Sequence, residues 1–481
     1  FFEFRAMGSG RVCSLLTVAF ILACFVAVWW KLTTVPRADL PGVGELPVAP
    51  DVVQVPVIVV LAKALRQFEV PSFRFQDVTF AAKVEVQSDS LDASCDAEFS
   101  EACLARHAEA ATALTVVLSV GAPKTVSRGM VVAVQLEASQ EALDEAATKI
   151  SETFLGRPGP LGLELAGTYG FDFTLVSEGH RRLTWKYHSQ VGPLLEPFFR
   201  GLGQLVSLTH ESQVVHHGKI SQEADFEVED GRRIIKGKAL RYFLSQANKW
   251  ASDTVVHGAY KLPPSFNLVA WSPSMSTAVR ASNGTETNAF SVRHWGVVAM
   301  LPPVAGECAG GASELPAEHL EAAGTIWVSH LRSLFGLGPQ AEEQLAAWEV
   351  HMLARELLTQ FFAKTVLSLR NLIELVERLP LVAVKEPIRA TILHSMELLV
   401  LAQSDASKGD LMGAVQHSRH AFTLAQEALH DETIVAQTHF SLEFTYAVYL
   451  PIFLPVCIPV ANELIDQVKR LVGGRKKVKT V

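Results

Sequence analysis

The chain has 481 residues, enough for two or three domains, and is 49% hydrophobic with only 19% charged residues, an apolar balance for a protein wholly in water. Its formal net charge of −8 excludes the whole-chain basic character expected of a nucleic-acid binder. The charge is uneven: a basic C-terminal tail offsets a more acidic remainder.

Residues 1–11 form a short tail in which Met7-Gly8 makes no myristoylation signal, because Val12 stands where Ser or Thr is wanted. Val12–Trp30 is a run of 19 residues without a charge, bounded by Arg11 and Lys31 and closed by Trp29-Trp30. That pattern predicts a transmembrane helix over 12–30 with an interfacial aromatic anchor. A cleaved signal peptide is the rival reading, but Trp-Trp-Lys is a poor cleavage site. Residues 31–50 hold four prolines and read as an extended linker. Beyond it, Val52–Val60, Phe73–Val86, Leu114–Val120, Met130–Leu136, Phe171–Val176, Val206–Val215, Phe266–Trp271 and Trp295–Leu301 read as strands. Glu141–Phe154 and Leu194–Leu205 read as helices. Residues 216–262 are poorly patterned, predicting loops and a short helix near Leu240–Trp250. Residues 51–310 are therefore expected to form a mixed α/β domain with helices covering a sheet.

From 311 to 443 the pattern turns helical, with Leu320, Ala323, Trp327, Leu331 and Leu334 on a 3.6-residue period and Phe362, Val366, Leu369 and Ile373 repeating it. A second apolar stretch then runs from Phe444 to Ala461, 18 residues without a charge, within a predicted transmembrane helix over 444–465. Pro451, Pro455 and Pro459 recur every four residues and share one helix face. In water they would break a helix; in a membrane, neighbouring helices re-satisfy the freed carbonyls. That notched face is a candidate surface for packing against other membrane helices; a plain anchor that tolerates its prolines is the alternative. In the tail 466–481, Lys469, Arg470, Arg475, Lys476, Lys477 and Lys479 are basic, while Asp431, Glu432 and Glu443 precede the stretch. The positive-inside rule puts the C-terminus in the cytosol, and two spans put the N-terminus there too. Lys477 and Lys479 also fit a dilysine-type retrieval signal to the endoplasmic reticulum, or an ordinary basic flank.

Little catalytic chemistry is visible. There is no CxxC pair, HExxH, GxSxG or P-loop, so no catalytic residue, metal ligand or cofactor is assigned. His217-Gly218 and His257-Gly258 with Cys308 imitate a caspase-like His-Gly and Cys arrangement. Cys308, however, lies in Ala305-Gly-Glu-Cys-Ala-Gly-Gly311 and not after an apolar strand. His216-His217 makes a poor metal pair, because adjacent side chains in a strand face opposite ways. In an oxidising lumen a Cys95–Cys103 disulfide is chemically allowed. Cys308 would then be left buried or paired to another chain; three unpaired cysteines is the other reading. Asn283-Gly-Thr285 is the one glycosylation sequon, in a polar stretch.

Several stretches carry a family likeness: Trp29-Trp-Lys31 with Arg37-Ala-Asp-Leu-Pro41, Glu196-Pro-Phe-Phe-Arg-Gly-Leu-Gly203 with Ser212-Gln213, and Thr287-Asn-Ala-Phe290 with His294-Trp-Gly296. Leu331-Arg-Ser-Leu-Phe-Gly-Leu337 and Tyr449-Leu-Pro-Ile-Phe-Leu-Pro455 with Pro459 complete the set. In order and spacing the chain resembles the PIG-S family, subunits of the glycosylphosphatidylinositol (GPI) transamidase; the likeness is patchy between 60 and 180. The resemblance implies two spans, cytosolic ends and one large lumenal region in the endoplasmic-reticulum membrane. It implies partners homologous to PIG-K, PIG-T, PIG-U and the GPI attachment protein, and a non-catalytic structural role in joining GPI to the C-terminus of proproteins. Contact with membrane lipids is expected, and contact with proprotein or GPI is open. A membrane-tethered lumenal receptor or scaffold and a caspase-like hydrolase are the alternatives. A GPI-anchored substrate is a poor fit, because a basic tail follows the apolar segment.

Overall fold

A computed structural model of the chain describes residues 38–48, 53–61, 65, 67–70, 72–73, 80–87, 113–122, 124–160, 162–178, 182–218, 226–236, 264–281, 284–292, 295–304, 312–338, 344–378 and 384–431, with single positions between 434 and 469. Its contacts divide it into two units. The larger comprises Pro47–Val366 and Ser395–Leu424; the smaller comprises Phe1–Leu46, Leu367–His394 and Ala425–Val481.

The larger unit opens with a five-stranded sheet. β1 (Val53–Leu61), β2 (Phe80–Gln87), β3 (Leu114–Val120) and β5 (Val131–Leu136) are parallel, and β4 (Lys124–Arg128) closes the order β2-β1-β3-β5-β4 antiparallel to β5. Both faces are apolar, as parallel sheets require. Val57, Val59, Val116 and Val132 face the main core, while Val60, Val117, Val131 and Ala133 make a smaller cluster on the other side. Pro56 is tolerated inside β1 because the ladder to β3 begins only at Val57. α1 (Gln140–Thr153) follows, its first turn closed by Ser139, whose Oγ accepts the Ala142 amide at 3.1 Å.

A second sheet is built from β6 (Thr168–Ser177), β8 (Ser207–His216), β11 (Ser265–Ser272) and β15 (Gly296–Met300) in parallel, with β14 (Ala289–Val292) antiparallel at one edge. The order is β14-β15-β11-β6-β8. β7 (Leu183–Thr184) pairs instead with β16 (Ser313–Glu314). A π-helical turn, Tyr187–Val191, runs directly into α2 (Gly192–Leu202) between β6 and β8. Alternate residues of the sheet face α2 and α3 (Ala317–Leu334): Phe171 meets Phe199 at 5.0 Å and Phe173 meets Trp327 at 5.7 Å, centroid to centroid. The intervening residues, Val176, Val269, Trp271 and Val298, form a second core with Ile235 and Val279. Those two belong to a four-stranded sheet of order β13-β12-β10-β9, made of β9 (Phe226–Glu229), β10 (Arg232–Lys236), β12 (Thr277–Arg280) and β13 (Glu286–Thr287). The result is a helix–sheet–sheet stack.

Two glycines permit close approaches that no side chain would. Gly296 has φ +152, and a Cβ there would stand 2.0 Å from the Asn267 carbonyl oxygen. Gly336, with φ +71, ends α3; a Cβ there would stand 2.1 Å from Gly159 O. These positions give physical reasons for His294-Trp-Gly296 and for the end of Leu331–Leu337.

A helical region follows the sheets: α4 (Ala347–Arg378), α5 (Glu386–Lys408) and α6 (Leu411–Leu429). In the larger unit Phe361 meets Phe422 at 5.5 Å, and the Ser395 hydroxyl donates to Ala421 O at 2.8 Å. In the smaller unit the chain at Ala38-Asp39 is fixed to the start of α5. The Ala38 amide donates to Val384 O at 3.0 Å, and Arg389 Nε donates to Asp39 O at 2.8 Å. There too, Gln426 Nε2 donates to Ser368 Oγ at 3.0 Å.

The architecture is the expected α/β sheets followed by helices. Of the stretch expected as strand from Phe73 to Val86, β2 accounts for Phe80 onward and residues 74–79 lie outside the described residues; β4, β9 and β10 form where no strand was predicted. The predicted helix near Leu240–Trp250 lies outside the described residues. Among those described, no helix is long and apolar enough to cross a membrane. The predicted span 12–30 lies wholly outside them. Of 444–465 only Ala447, Pro451, Pro455, Ile458, Asn462 and Ile465 are described, each helical and exposed.

Candidate functional site

In an open parallel sheet, ligands collect beyond the carboxyl ends of the strands where the winding reverses. From β6 the chain goes to β8 on one side and then to β11 on the other, so that point lies at the ends of β6 and β11. Glu178 follows β6 directly. Arg233 Nη1 donates to both its carboxylate oxygens at 3.1 Å, and the Ser274 amide and hydroxyl donate to Oε2 at 2.8 and 3.1 Å. Arg233 is buried and its guanidinium lies 5.0 Å from the Phe226 ring centroid and 5.9 Å from that of Trp271. These contacts tie the second sheet to β10, while the buried Arg233 Nε has no hydrogen-bond partner among the described residues.

Beside them, His216 Nδ1 is 3.4 Å from Ser177 Oγ. Ser177 is wholly buried, so its hydroxyl is not presented to a substrate. His217 turns out of β8 with φ +58, and the Gly218 amide donates to Ser177 O at 3.0 Å. The sequence-singled His217-Gly218 therefore closes a strand end. No group of three or more His, Cys, Asp or Glu that could hold a metal occurs among the described residues.

The larger concavity is elsewhere. An open groove of about 840 Å³ runs between the Tyr187–Pro197 segment and β8, with His188, Pro193, Glu196 and Phe199 on one side and His210 and Ser212 on the other. Rings crowd His210: Phe199 at 4.8 Å, Phe171 at 6.1 Å, Phe173 at 6.2 Å and Tyr187 at 6.5 Å. Burial pulls the His210 pKa down, against the opposing pull of the Glu196 carboxylate. Burial, with Glu196 nearby, pushes the Tyr187 phenol up to about 12. Glu196 pairs with Arg200 at 3.5 Å, so the groove is aromatic and close to neutral. Sequence reading missed it; its signal was the two-residue alternation of Leu208, His210, Ser212 and Val214 beside a proline-punctuated helix.

Of the residues singled out in sequence, Cys95, Cys103, His257, Asn283, Cys308 and Pro459 lie outside the described residues. Pro451 and Pro455 are helical and exposed.

A sequence model of the PIG-S family, described as phosphatidylinositol-glycan biosynthesis class S protein, matches residues 137–473. The chain belongs to the PIG-S family. The PIG-S match begins just before α1 and takes in the second sheet, the groove and the helical region; the first sheet lies outside it. Relatives include the GPI transamidase component PIG-S homolog of Schizosaccharomyces pombe, 24% identical over 311 residues, covering 63% of this chain and 54% of the relative. The GPI-anchor transamidase component PIGS of Homo sapiens is 21% identical over 318 residues, covering 62% of this chain and 56% of the relative. That of Bos taurus is 20% identical over 318 residues with the same coverage. The matched chain thus spans little more than half the length of its curated PIG-S relatives.

Proposed function

We propose that the protein is a non-catalytic subunit of the GPI transamidase, supporting attachment of GPI to the C-terminus of proproteins in the endoplasmic-reticulum membrane. The PIG-S match over 137–473 carries this reading. Two features support it. At the carboxyl ends of β6 and β11, the Glu178 carboxylate is engaged by Arg233 and Ser274. The apolar runs 12–30 and 444–465 with the basic tail fit a two-pass protein with cytosolic ends and a lumenal 51–443. Homologues of PIG-K, PIG-T, PIG-U and the GPI attachment protein are the partners this reading calls for. That topology would put Asn283, Cys95 and Cys103 in the lumen, where glycosylation and a disulfide are chemically allowed.

Mild-detergent purification of the tagged protein from its own membranes, followed by mass spectrometry, tests the reading. PIG-K and PIG-T homologues are expected in comparable amounts. Recovery alone, or with unrelated lumenal proteins, overturns it in favour of a tethered receptor or scaffold.

A further inference from the structure

β8 forms one border of the second sheet, and among the described residues β6 is its only ladder partner. Its ten residues pair with β6 in unbroken register from Thr168–Ser207 to Ser177–His216. The Ser207 amide donates to Gly167 O, so Ser207 and every second residue after it turn their backbone groups toward β6. Leu208, His210, Ser212 and Val214 turn theirs outward, and no backbone partner meets them among the described residues. Ser207, Thr209, His210, Glu211 and Ser212 are exposed.

Natural sheets guard such borders with short strands, prolines, charged side chains (lysine above all), bulges or a covering helix or loop. The other border of this sheet, β14, has four residues. β8 is long, unbulged and free of proline and lysine, and Glu211 is its one full charge. The aromatic groove runs alongside it, on the face where Leu208, His210, Ser212 and Val214 project. With Glu196 and Arg200 paired to each other, that groove favours uncharged side chains.

We infer that β8 is a docking edge for a β-strand contributed by another subunit of the assembly, whose main chain pairs with Leu208–Val214 and whose uncharged side chains enter the groove beside His210. An edge of this length, so lightly guarded among the described residues, calls for a permanent cover, which favours a resident subunit over a transient proprotein segment. The inference rests on the subunit reading above.

The test uses the full chain in its detergent-purified complex, with photoreactive benzoylphenylalanine at Thr209 and, as a control, at exposed Ser291 on β14. The expected result is an adduct at Thr209, mapped to a strand of one stoichiometric co-purifying subunit. Amide exchange over Ser207–His216 in the same complex should be slow throughout; an open edge leaves the outward half of these amides exchanging fast. Ser212→Pro removes an outward amide without touching the β6 ladder and should lower recovery of that subunit by about tenfold. Ser212→Ala, which loses only the Trp185 Nε1 to Ser212 Oγ bond of 3.1 Å, should retain it, and equal melting temperatures exclude misfolding. An intact complex with a fast-exchanging edge, or an adduct to this chain, to a second copy or only to proprotein, overturns the inference and leaves the subunit reading standing. Loss of all co-purifying subunits from the unsubstituted protein overturns both.

Discussion

Arg332 and Glu349 are each 1% exposed and paired, with Arg332 donating to both carboxylate oxygens. Arg332 Nε also donates to Gly338 O at 3.1 Å, and Glu349 Oε2 accepts the Ala346 amide at 3.0 Å. The pair therefore ties the end of α3 to the start of α4. Removing one partner leaves an uncompensated buried charge. Glu349→Ala is expected to cost about 3–5 kcal/mol, with Arg332→Met/Glu349→Leu costing less than that single change; thermal unfolding of the purified protein measures both. His351 responds to pH. Burial, and secondarily the Arg355 guanidinium, lower its pKa. The unfolded chain therefore takes up the proton first, so stability is complete above about pH 6.5 and is lost as pH falls below it. The melting temperature should drop between pH 7.5 and 5.5, and His351→Gln should make that drop smaller.

Among elements, those with a strong period or a dense apolar run were legible before the structure. β1, β3, β5, β6 and β11 are Val-, Leu- or Phe-rich because both their faces are covered. α1 announces itself by Leu143, Ala147, Ile150 and Phe154 on one helix face. β4 and β9 were not legible, for a physical reason, and β10, with three buried residues between exposed ends, is too short to show a period. β4 is partly exposed and β9 fully so; cross-strand ion pairs such as Arg280 with Glu229 and Glu286 replace an apolar face there. Such strands exist because neighbours supply the ladder, and a single chain read in order does not display neighbours. The groove beside β8 was hidden likewise, since Tyr187, Glu196 and His210 come together only through the β6–α2–β8 crossover. The Glu178–Arg233 pair spans 55 residues, and no local spacing marks it.

For the whole molecule, the proposed second span is the least conventional part. Pro451 and Pro455 are both helical and exposed, as are the other described residues of that stretch. Replacing Pro451, Pro455 and Pro459 together by Leu fills that face and is expected to lower recovery of the complex several-fold at normal expression. Unchanged recovery in mild detergent would count against helix docking there.

The topology of the second sheet also bears on how the chain is made. β6 is an inner strand rich in phenylalanine, yet its two ladders close at different times. Ser207 joins Thr168 39 residues later, whereas Ser265 joins Gly170 only after 95. At ribosomal rates of about 5–20 residues per second, β6 waits roughly 5–20 s with one apolar border open. Contacts so distant in sequence form slowly in any case. The nascent protein therefore passes through a half-built sheet whose bare strand can pair with the wrong chain until β11 emerges.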